Sequence, residues 1–167
     1  RRWIKLGLFI IGGLTWLPDK IFPTMEPNKR KKIIRKIAEL GNSSLRLKAD
    51  VIGQTDLKQN RDLKQLIDDM SATLDDSGGV GLAAPQVFEN RALFLFMDNQ
   101  DTSHIAVAIN PRILDKSTET EKAYEGCLSI PGIRALVPRH RWIKVSYIDR
   151  NNQRIEKKLS GFIARIF

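Results

Sequence analysis

An α+β fold built mainly from antiparallel strands is what this sequence predicts, on three observations. A strongly amphipathic helical stretch is confined to the first half of the chain, at Thr55 to Ser77. Three β-rich runs follow between Arg91 and Asp149, separated by turns and not by helices, which argues against the strand–helix alternation of a parallel sheet. The last eight residues, "SGFIARIF", return to an apolar helical pattern. At 167 residues the chain can bury one core of its own without disulfides or structural metal.

The first element is an appendage. "RRWIKLGLFIIGGLTWLPDK" holds a run from Leu6 to Leu17 in which only Thr15 is polar. A bilayer span takes about 20 apolar residues, so this run predicts no membrane crossing. Its basic start has the outline of a signal or organellar import segment, but no small-residue cleavage site follows. The plainer alternative is a surface-docked extension. Pro18, Pro23 and Pro27 make the next stretch irregular, and "NKRKKIIRKIAEL" places Ile33, Ile34, Ile37 and Leu40 at helical spacing, predicting a short basic amphipathic helix. The organisation expected is an N-terminal extension at 1–39 and one domain at 40–167.

Charge divides along the same line. The formal net charge is +9, and Arg1 to Lys48 carry all of it, with 12 basic residues against 3 acids; the remainder holds 16 of each. A neutral body with a basic appendage, lacking an interleaved aromatic platform or a reading helix, argues against DNA recognition. It is compatible with salt-sensitive contact to ribosomal RNA. The single cysteine rules out an internal disulfide and predicts a reducing compartment.

In the body, Thr55 or Asp56 can cap the clear helix, whose Leu63, Leu66, Ile67, Met70 and Leu74 recur every three or four residues. "SGGVGLAAPQ", Ser77 to Gln86, then reads as a small-residue loop. It lacks the Lys and Ser/Thr of a phosphate loop. "RALFLFMD" predicts a strand buried on both faces, "HIAVAINP" a second ending at Pro111, and "RWIKVSYID" a third that returns through "DRNNQ" into "RIEKKL" as a hairpin. "SGFIARIF" begins a helix that places Phe162, Ile163, Ile166 and Phe167 among its apolar residues. Two histidines are present: His140, in "PRHRW", reads as an exposed turn residue, and His104 starts the second strand.

Cys127, in "YEGCLSIPG", has three readings on these grounds: core filler, nucleophile or metal ligand. Neither histidine is placed beside it by spacing. Two histidines and one cysteine do not make a structural zinc site either, which takes four protein ligands.

"GVGLAAPQ" at Gly79 to Gln86 and "EGCLS" at Glu125 to Ser129 are similar to the first two motifs of the peptide deformylases, in their order and spacing. "LGNSSLRLKADVI", "INPRIL" and "GFIARIF" resemble the flanking segments of that family, so the likeness covers about 125 residues from near Leu40 to Phe167. The resemblance implies a peptide-deformylase-like α+β fold, with antiparallel sheets around a C-terminal catalytic helix that is unfinished at Phe167. It implies hydrolysis of the formyl group from the N-terminal formyl-methionine of nascent polypeptides, by water on one divalent metal. Fe(II) is the expected ion, with Zn, Ni or Co as substitutes. Cys127 would be a metal ligand, Gln86 and the Leu128 backbone N–H would bind the developing oxyanion, and Gly81 would lend backbone contact to the formyl end. Glu125 would neighbour the site, paired with Arg134, and "PGIRALV" would flank the peptide. Ile130, Leu128 and Phe88 are candidates for the methionine pocket by neighbourhood.

The departure lies in the third motif, H-E-x-x-D-H, which supplies two metal histidines and the general base in that family and does not occur in these residues. His104 and His140 do not match its positions. The expectation is a complete deformylase of which these residues lack the C-terminal part, as the absence of a starting methionine also indicates at the other end. These 167 residues alone would then be inactive. The alternative is a non-catalytic formyl-peptide or ribosome-associated binding protein. Expected partners are nascent formyl-methionyl peptides and a transient ribosome contact, with the protein a monomer. The expected location is the bacterial cytoplasm, with chloroplast or mitochondrion as the alternative.

Overall fold

In a computed structural model, residues 31–59, 61–98 and 105–167 are described. The apolar run Leu6–Leu17 and His104 lie outside them. The chain separates into Arg1–Lys31 and a compact unit, Lys32–Phe167. Within the latter, helices α1 (Gln54–Gln59) and α2 (Arg61–Ser77) precede strands β1 (Gly81–Ala83), β2 (Leu93–Met97), β3 (Ile105–Lys116), β4 (Thr120–Cys127), β5 (Ile130–His140), β6 (Trp142–Ile148) and β7 (Arg154–Ser160). Helix α3 (Gly161–Ile166) follows. Five strands form an antiparallel sheet in the order β1-β2-β3-β6-β7, and β4 and β5 form a separate two-stranded sheet. The α+β architecture is as expected.

Alternation along β2 explains how one sheet serves two cores. Leu93 and Leu95 point to a cluster with Leu63, Leu66, Ile67, Met70 and Leu74 of α2, while Phe96 points to the opposite face, with Val145, Tyr147 and Ala164 of α3. Helix α2 covers one face and α3 the other. Gly78, at a left-handed φ of 62°, ends α2 with its N–H on Asp75 O. Helix α1 begins at Gln54, with Leu57 N donating to Gly53 O, so the helix starts one residue ahead of the expected Thr55 cap.

Two other expectations are corrected. β3 does not stop at Pro111. Asn110 adopts a left-handed φ of 51° and the register skips between Ile109 and Arg112, so the proline without an N–H falls in a bulge where the ladder makes no demand on it. The side chain of Asn110 holds the bend by bonding Ile52 twice, at 2.9 Å through both its oxygen and its nitrogen.

Residues 32–39 form an extended strap and not a helix. Their amides find acceptors elsewhere: Ile33 N–H bonds Asp69 Oδ1 at 3.0 Å, Arg35 N–H bonds Thr73 Oγ1 at 2.9 Å, and Ala38 N–H bonds Gln86 O at 2.7 Å. Asp69 is only 2 % exposed and also accepts from Arg35 Nε at 3.2 Å and Gln65 Nε2 at 2.7 Å. A buried carboxylate with three donors is stable only while its donors stay. Asp69→Asn replaces one acceptor by a donor facing donors, and is expected to lower unfolding free energy by about 2–4 kcal/mol in urea titrations. An unchanged midpoint would show that the bonds between Asp69 and the strap contribute nothing.

Candidate active site

The two motifs, distant in sequence, meet at the tip of the β4–β5 hairpin. A 3₁₀ turn, Ala84–Val87, starts with Pro85 near its head and presents Gln86. The amide of Gln86 is oriented by both of its ends: Oε1 accepts from Ala83 N at 2.9 Å and Nε2 donates to Ser129 Oγ at 3.0 Å. The other Nε2 hydrogen finds no partner among the described residues. Ser129 is buried, and its carbonyl accepts from Leu40 N at 2.8 Å, so the strap bonds one motif at Ala38 and the other at Leu40.

Leu128 and Ser129 form the two-residue turn between Cys127 and Ile130, which are paired across the hairpin. The side chain of Leu128 packs into the α2-side core. Gly79 makes room for it, since a Cβ there would lie 2.8 Å from Leu128 Cδ1. Among the described residues the Leu128 N–H has no acceptor. Gly81 is closed on one side, where a Cβ would meet Ile166 Cγ2 at 3.0 Å and Leu95 O at 3.3 Å. Leu128 is partly buried against the core, and Phe88 is half exposed at a left-handed φ of 65°.

Cys127 is exposed. Two residues before it, Glu125 is bound by Arg139, with Nε to Oε1 at 3.0 Å and Nη2 to Oε2 at 2.9 Å, and not by Arg134. The register explains the correction: Arg134 stands opposite Gly126, on the other face of the ribbon from Glu125, whereas Arg139 stands opposite Glu121 on the same face. Arg165 of α3 adds a third bond, Nη1 to Oε1 at 2.8 Å. The hydrogen bonds from Arg139 lead in holding the Glu125 carboxyl below the usual carboxylate range, against its partial burial and with help from Arg165. His140 is not an exposed turn residue. It ends β5, half-buried, with Nδ1 2.6 Å from Ser117 O.

Arg165 is the functional-site neighbour that sequence reasoning missed. "GFIARIF" signals a helix, but nothing in it says which side chain crosses to another sheet.

The fold and the family comparisons place the chain in a class of α+β hydrolases. Within that class it belongs to the peptide deformylase family: the family model described as polypeptide deformylase matches residues 34–167. A peptide deformylase 2 of Nostoc sp. is 41 % identical over 138 residues, covering 78 % of this chain and 75 % of that one. A peptide deformylase 1 of Bordetella pertussis is 40 % identical over 141 residues, covering 80 % and 78 %. Among solved structures, a Met-Ala-Ser-bound class I type b peptide deformylase from Acinetobacter baumannii superposes with a TM-score of 0.75 at 34 % identity, covering 81 % of this chain and 89 % of that one.

The family is metal-dependent, and the described residues do not make a metal site. Among them no three His, Cys, Asp or Glu side chains stand together. The nearest carboxylate in sequence, Glu125, is committed to two arginines. Cys127 alone cannot hold a divalent ion in a three-ligand catalytic geometry.

Proposed function

We propose that this protein removes the formyl group from peptides that begin with formyl-methionine. The observation that carries the reading is the 3.0 Å bond from Gln86 Nε2 to Ser129 Oγ, which joins the two motifs, while one Gln86 hydrogen and the Leu128 N–H find no acceptor among the described residues. In this reading both donors serve the oxygen of the tetrahedral intermediate, whose negative charge develops only on the way to the transition state, and so favour that state. The Acinetobacter baumannii relative, bound to Met-Ala-Ser, supports a peptide with methionine first.

Cys127 is the thiolate this reading assigns to the family's metal, Fe(II) or, in its place, Zn, Ni or Co. With no second ligand beside it among the described residues, no step is derived through that ion. The alternative reading is a chain that binds formylated peptides without turning them over.

The basic segment Arg1–Lys48 suits weak ribosome contact. Among the described residues no helix is long and apolar enough to cross a membrane. The bacterial relatives support a bacterial cytoplasmic setting.

The deciding experiment uses protein purified from its natural source and formyl-Met-Ala-Ser as probe, with formate release and calorimetric binding measured together. Deformylation predicts formate and free amine in equal amounts, abolished by Cys127→Ala. Tight binding of the formyl peptide without formate establishes the second reading, and binding of neither formyl-Met-Ala-Ser nor Met-Ala-Ser ends both.

A further inference from the structure

The hairpin that carries Cys127 cannot hold itself in place. A two-stranded ribbon is marginal in water unless it packs on something, and β4 and β5 bury little: no residue of either strand is fully buried. Its tip is held by Leu128 in the core and by Ser129 on Gln86. Its base is held where His140 and Arg141 meet Ser117 and Glu119. Between them, one side chain from α3 reaches across. Arg165 Nη1 bonds Glu125 Oε1 at 2.8 Å and Val137 O at 3.0 Å, while Nη2 bonds Glu121 O at 2.8 Å. The three acceptors lie on both strands, and the arginine side chain is only 14 % exposed.

We infer that Arg165 is a positioning residue: its guanidinium clamps both strands of the β4–β5 hairpin to α3 and so sets where Cys127 and the Leu128 N–H stand relative to Gln86. What is positioned rests on the deformylase reading; the clamp itself does not. The geometry asks for arginine in particular. A planar fork bonds three acceptors spread over two strands in fixed directions, whereas a lysine ammonium is a compact point that reaches one strand or the other. The helix that carries the clamp is fixed independently, through Ala164, Ile163, Ile166 and Phe167 in the second core, so the clamp has a rigid base.

The test is residue-resolved hydrogen exchange on the natural full-length protein and on Arg165→Met and Arg165→Lys, followed by steady-state kinetics with formyl-Met-Ala-Ser. Expected is about tenfold or faster exchange confined to the β4–β5 amides, with the five-stranded sheet changed by less than about twofold. The kinetic counterpart is a kcat lower by about tenfold or more with KM nearly unchanged, because Arg165 touches no substrate and misplacement acts on the transition state. Arg165→Lys is expected to recover folding stability but little of the exchange protection or kcat. Equal acceleration across both sheets in both variants would reduce Arg165 to a general stabiliser and overturn the inference. So would an unchanged hairpin, or a raised KM at constant kcat. A wild-type protein that releases no formate but shows the localised exchange effect would end the deformylase reading and leave the clamp standing.

Discussion

Replacing Gln86 by leucine is expected to lower kcat for formyl-peptide hydrolysis by about 10²–10³-fold while the protein stays folded. Leucine has nearly the same volume and keeps the 3₁₀ turn filled, but it removes the side-chain amide that faces the reacting carbonyl in the proposed reaction. The hydrogen bonds to Ala83 and Ser129 go with it, at 2.9 and 3.0 Å, and their loss costs roughly 1–3 kcal/mol of stability. A thermal melt therefore accompanies the kinetics. Ser129→Ala separates the two effects, because it leaves the donor in place and removes one of the two bonds that aim it. Its kcat is expected to fall less than that of Gln86→Leu. A Gln86→Leu enzyme with normal kcat would remove this side chain from the oxyanion role.

Phe96→Ala is expected to cost about 3–5 kcal/mol, a large share of the roughly 5–15 kcal/mol that holds an ordinary domain together. Phe96 has no exposed surface and stands at the centre of an aromatic cluster, with ring centroids 5.3 Å from Phe94, 5.5 Å from Phe167 and 6.0 Å from Tyr147. The surrounding sheet is rigid and cannot close over the hole, so both transfer and cavity terms are lost. Phe162→Ala serves as the control, since Phe162, on α3, is 44 % exposed and its loss is expected to be within about 1 kcal/mol. Denaturant titrations decide between them. If the two variants proved equally stable, α3 would not be held through this cluster, and the base of the Arg165 clamp would be in doubt.

Legibility followed burial. Helix α2 was readable because Leu63, Leu66, Ile67, Met70 and Leu74 all face one core and so repeat at about 3.6 residues. Strand β2 was readable because its leucines and phenylalanines pack on both faces, and β6 because Ile143, Val145 and Tyr147 alternate into the second core. The β4–β5 hairpin was not: most of its residues face water, and Pro131 and Pro138 argue locally against a strand. Periodicity records what a core demands, and this hairpin is held chiefly by polar ties at a few points. The strap at 32–39 failed in the opposite way, since its isoleucines have helical spacing but its amides are taken by Asp69, Thr73 and Gln86 before any helical bond can form.

The candidate site divides along the same boundary. Gly81, Gln86, Cys127 and Leu128 were singled out by the resemblance of two short motifs to those of the peptide deformylases, and the chemistry proposed for them is what that resemblance implies. That Gln86 meets Ser129, that Glu125 pairs with Arg139 and not Arg134, and that Arg165 ties α3 to the hairpin were decided only in three dimensions. Each of these is a contact between residues 14 to 43 positions apart. Sequence by itself determined the family, through two short motifs, and with it the candidate groups for a reaction. Strand register, the facing of each side chain and the reach of an arginine decided which of them stand together, since those follow from how separate elements pack and not from any one of them.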